Sequence, residues 1–136
     1  FKNDGFSSTS TSFVDITGLS VSITPTSTTS KILVLVTSNF ASSVAGTPQS
    51  FNLLRNSTNI AQPSTTPTYN GTVTPYLNLA DNSLGWSINF LDSPATTSAT
   101  TYKIQGKTGS GTFHVNRRTV ADFASTSTIT VMEIAA

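Results

Sequence analysis

The run Ile32-Leu33-Val34-Leu35-Val36 constrains this chain more than any other segment. Five consecutive aliphatic residues between the turn-forming stretch Thr26 to Ser30 and the small-residue loop Ala41 to Pro48 have strand length, and β-branched side chains favour an extended backbone. Successive strand side chains point to opposite faces, so both faces of this strand are apolar and neither is suited to water. Ser127 to Ile134, near the other end of the chain, is also largely apolar on both faces. A sheet holding both strands must hide one face in its own core and the other against something else. In a one-domain protein the simplest something is a copy of itself.

The rest of the chain reads as strands punctuated by turns. Phe13 to Ile16 is a short run ended by Gly18, and Leu19 to Ile23 alternates apolar and polar residues until Pro25 removes a ladder donor. Phe51 to Arg55 and Asn59 to Ala61 flank the polar cluster Asn56-Ser57-Thr58, the pattern of a β-hairpin. Gln62 to Thr74, with two prolines and Asn70-Gly71, reads as an irregular surface excursion. Trp86, Ile88 and Phe90 share one strand face and are predicted core, and Phe113 and Val115 form the apolar face of a later strand. Short strands at this spacing predict an all-β antiparallel two-sheet sandwich of about eight to ten strands. The length of 136 residues suits one domain, assigned to residues 13–136, with residues 1–12 expected to be an extension or linker from an upstream segment.

Composition narrows the chemistry. Charged residues make up only 10% of the chain, Ser and Thr about a third, and the net charge is +1. Seven scattered basic residues form no stripe that could neutralise phosphates, so nucleic acid is not an expected partner. Cysteine is absent, which removes disulfides and thiolate metal sites, and no apolar run has the length of a membrane span. The lone His114 lies between Phe113 and Val115, and alternation turns it away from their apolar side, as an exposed or interface residue. No Gly-x-Ser-x-Gly elbow accompanies it, no two of the six carboxylates stand as an acid–base pair, and Asp81 and Asp92 have turn-forming neighbours. No catalytic residue, metal or cofactor is expected. Tyr69, Asn70 and Tyr76, on or beside the excursion, are candidate ligand contacts, since an aromatic face can stack on a sugar ring; their alternative role is to close the edge of the core.

Several segments taken together, Phe13 to Pro25, Ser30 to Val36, Phe51 to Asn56, Phe90 to Pro94, Thr101 to Gln105 and Ser127 to Ile134, resemble the C-terminal domains of virion structural and tail-fibre proteins of tailed phages of the marine and cyanobacterial type. The likeness runs through scaffold strands and turns and carries no ligand motif. It implies a jelly roll of the tumour necrosis factor and C1q type, a homotrimer with the end-bearing sheets toward the threefold axis, and a place on the virion surface after assembly in the bacterial cytoplasm. The leading expectation is a non-enzymatic fibre-tip or appendage domain that binds host surface glycans, with itself and other virion proteins as partners. The alternatives are a capsid decoration or head-fibre protein and, more remotely, a polysaccharide-degrading enzyme. The trimer interface is assigned to Leu33, Leu35, Ile129, Val131, Met132 and Ile134, or to the opposite β-face Ile32, Val34 and Val36.

Overall fold

A computed structural model describes residues 1–65, 67–120 and 122–135. Ten strands follow in order: β1 (Phe6–Ser8), β2 (Val14–Ile23), β3 (Lys31–Ser42), β4 (Thr47–Arg55), β5 (Thr58–Asn59), β6 (Tyr76–Leu77), β7 (Ser83–Asp92), β8 (Thr100–Thr108), β9 (Phe113–Val115) and β10 (Thr128–Ile134). All pairings are antiparallel. One sheet is built on β3, which pairs along one edge with β7 and along the other with β10 and then β9. The second sheet runs β2-β8-β4-β5, with β6 also on β4. The chain passes repeatedly from one sheet to the other, in the strand order of a jelly roll, and both sheets contribute to a single core.

Alternation decides which side of β3 faces that core. Ile32, Val34, Val36 and Phe40 are fully buried, whereas Leu33 and Leu35 are half-buried on the outer side. The interior is closed by an aromatic cluster in which Phe51 stacks on Trp86 at 4.9 Å between ring centroids and meets Phe40 and Phe113 edge-on. Gly106 of β8 lies under these rings. A Cβ there would come within 2.9 Å of the Phe113 ring and 3.1 Å of the Phe51 ring, so the residue must be glycine for the aromatic layer to fit.

The predicted hairpin is present, with Leu54 opposite Asn59 and Asn56 in the left-handed conformation at φ 53°. Two expectations are corrected. Residues 1–12 are woven into the sandwich and do not stand off it as a linker. Lys2 exchanges two backbone hydrogen bonds with Ser127, β1 pairs with β9, and Phe6 packs on Phe113. The two runs Phe13 to Ile16 and Leu19 to Ile23 form one strand, whose register on β8 shifts between Asp15 and Ser20 around Gly18 at φ 85°. The excursion is irregular and largely exposed, as expected, and is fastened along β4: Phe51 and Val73 exchange backbone hydrogen bonds, the Leu53 N–H donates to Thr72 Oγ1, and Gln62 Nε2 donates to Asn52.

Two polar assemblies fasten distant parts of the chain. Arg55 Nη1 donates to both oxygens of Asp92 at 2.9 and 3.0 Å, and the Tyr102 hydroxyl donates to Asp92 Oδ2 at 2.7 Å, tying the end of β7 to β4 and β8 in the other sheet. Burial, and next the Asp92 carboxylate, push the Tyr102 hydroxyl well above its ordinary pKa, so it remains a donor. Asp92 is thus more than the turn residue its neighbours suggest. At the other end, Asn116 Nδ2 donates to the carbonyls of Lys2 and Asp4, while its Oδ1 accepts from Ser127.

Candidate functional site

The outer face of the β10-β3-β7 layer is the principal surface. The register places Met132, Leu33 and Leu91 in one row across the three strands. Beside this row Ile134 stands opposite Lys31, and Thr29, Lys31, Leu91, Ile134 and Ala135 line a depression of about 400 Å³. Leu91 is 50% exposed, Ile134 45% and Met132 43%, values that separate them from the core and leave an apolar stripe in contact with solvent. The following rows are Thr130-Leu35-Asn89 and Thr128-Thr37-Ser87, so the face changes from apolar to hydroxyl and amide along the strands.

Of the six residues assigned to an interface, Leu33, Leu35, Met132 and Ile134 lie on this face. Ile129 and Val131 do not: they stand opposite Val36 and Val34 and pack on the sandwich core. Ile32, Val34 and Val36 are likewise interior. The sequence marks β10 as two-faced, and the odd–even register with β3 sorts its residues.

The candidate ligand contacts gather at a different place, the corner where β4 begins. Tyr76 is 55% exposed and pairs with Pro48, whose carbonyl accepts from the Gly109 N–H at 3.0 Å. Tyr69 is 44% exposed and its ring lies over Gly109, where a Cβ would come within 2.8 Å of it. The two phenols therefore flank one corner, with Asn70 half-buried beside Tyr69. Lys107 Nζ donates to the Thr68 carbonyl and sits 4.7 Å from the centroid of the Phe13 ring.

His114 is buried, which corrects the exposed or interface placement. Its Nδ1 lies 2.8 Å from Ser7 Oγ and its Nε2 3.0 Å from Thr119 Oγ1. In a hydrolytic triad the second nitrogen would face a carboxylate that stabilises the imidazolium; here it faces a hydroxyl. Burial, followed by the positive charge of Arg117, lowers the ring's pKa, so the neutral imidazole acts as a fastener between β1, β9 and the loop carrying Thr119. Among the described residues no three His, Asp or Glu side chains converge as a metal site.

The fold and these surfaces define an all-β jelly-roll sandwich with one solvent-exposed apolar outer face and a tyrosine-flanked corner. Comparison with protein-family models and with curated proteins returns no match for the chain.

Proposed function

We propose that this chain is a non-enzymatic surface module of a tailed-phage virion, assembling as a homotrimer through the outer face of its β10-β3-β7 layer and touching host surface glycans through the corner flanked by Tyr69 and Tyr76. The observation that carries the assembly is the solvent-exposed row Met132-Leu33-Leu91 with Ile134 beside it. Removing apolar surface of this kind from water contributes about 25 cal/mol per Å², and a copy of the same chain offers the same surface. The glycan reading is supported by two half-exposed phenols on a surface of hydroxyls and amides, where stacking on sugar C–H faces needs no charge. The strand resemblance to virion proteins supplies the biological setting.

Sedimentation of the isolated chain at micromolar concentration tests the assembly. A three-chain species is expected for the wild type and a single-chain species for Leu35→Asp, because a carboxylate would be buried unpaired on the shared face. A well-folded wild-type monomer would overturn it. Adsorption of the assembled protein to host cells or a glycan array tests the second part, and Tyr76→Ala is expected to abolish binding while leaving the assembly intact.

A further inference from the structure

The longest unbroken sheet edge with no backbone partner among the described residues is that of β7. β2 is interrupted by its register shift around Gly18, and a break of this kind discourages pairing with a further strand. The free side of β4 is covered by β5, β6 and the bridge to Val73. The outer edge of β10 is shorter, seven residues, carries the charged Glu133 and is met just before its start by the Lys2–Ser127 bridge. By contrast β7 runs ten residues in unbroken register on β3, and among the described residues no backbone pairs with its other side. It carries no lysine and no proline, and its single charge, Asp92, sits at the end and is held by Arg55. Long, uncharged, regular edges are templates for strand addition, which is why natural sheets otherwise blunt them.

We infer that the free edge of β7 pairs antiparallel with β7 of a second copy about a twofold axis at Ile88, joining two β3-containing sheets into one. Such an arrangement is self-complementary. Trp86 stands opposite Phe90 on the inner face and Ser87 opposite Asn89 on the outer face, both favourable cross-strand pairs. Leu84 stands opposite Asp92, so the only charge of the strand never meets its own copy. This contact uses the backbone edge and not the outer face, so it neither requires nor excludes threefold assembly; it is a weak contact that oxidation traps, and the free chain sediments as the outer face dictates.

The absence of native cysteine permits a direct test by mixing Ser87→Cys with Asn89→Cys protein under mild oxidation. Directly opposed residues bring their Cβ atoms to about 4.5–5.5 Å, close to disulfide distance. We expect a mixed dimer to form about tenfold faster than with Ser20→Cys and Ser22→Cys on β2, and to persist when Leu35→Asp is added to both partners. Met132→Asp replaces Leu35→Asp if that variant does not melt cooperatively. Cross-linking no faster than on β2 overturns the proposal, and so does cross-linking that vanishes with the outer-face substitution, which would assign the proximity to the face. In the latter outcome the homotrimer stands while the edge pairing falls; a monomeric wild type that cross-links efficiently only between residues 87 and 89 keeps the edge pairing and overturns the homotrimer.

Discussion

At the level of single residues, His114 shows how burial turns a versatile side chain into a fixed one. Its folded pKa lies below the ordinary 6.5, so in the acid range the unfolded chain binds a proton that the folded chain refuses. The stability His114 supports is therefore fully present above pH 6.5 and is lost as pH falls from there through the lowered folded value. Asp15, held down by Lys103 and Gln105, and Asp122, held down by Arg118, act in a lower window, below the ordinary carboxylate value of 3.8. Thermal melts between pH 7.5 and 5 should show a decline of at most about 1.4 kcal/mol per pH unit, the ceiling for one proton. In His114→Gln this decline is expected to disappear. Its alternation phase is readable in the sequence. Its burial is not, because Ser7, which hydrogen-bonds one of its nitrogens, is 107 positions away.

At the level of elements, β8 illustrates how a strand accommodates the core. Gly106 sits between Val14 on β2 and Phe51 on β4 in the register, beneath the aromatic layer. Gly106→Ala is expected to lower stability by about 1–3 kcal/mol through overpacking, read as a lower urea midpoint at unchanged slope. Gly85→Ala on β7 is the control: its Cβ would meet only the Ser38 carbonyl at 3.9 Å, so a change below about 0.5 kcal/mol is expected. The hairpin at Asn56, the strand carrying Trp86 and Ile88, and the two-faced strands β3 and β10 are legible in the sequence, because turn chemistry and alternation are local. The pairing of residues 72–77 with β4 is not, because Thr72, Thr74 and Pro75 leave too short an apolar pattern there to mark a partner strand.

For the whole molecule, the N-terminal segment has the largest structural consequence. Lys2, Phe6 and Ser7 contact Ser127, Phe113 and His114, so the first strand completes the sheet near the end of the chain. Deleting residues 1–10 should cost roughly 1–3 kcal/mol, since it removes the half-buried Phe6, whose complete burial would contribute about 1.5–3 kcal/mol, together with the pairing of β1 on β9. Calorimetry is expected to show a lower, still cooperative transition, whereas an unchanged midpoint would mean that this strand is dispensable. That the protein is a β-sandwich, and that β3 and β10 are largely apolar on both sides, can be read from the residues in order, because the period of two is a property of the chain alone. The inward placement of Ile129 and Val131, the outward placement of Leu33, Leu35, Met132 and Ile134, the incorporation of the N-terminal segment into the sheet and the junction of Asp92 with Arg55 and Tyr102 emerge from the packed fold. Each of these depends on which strand lies alongside, and that choice is made by packing between segments far apart in the chain.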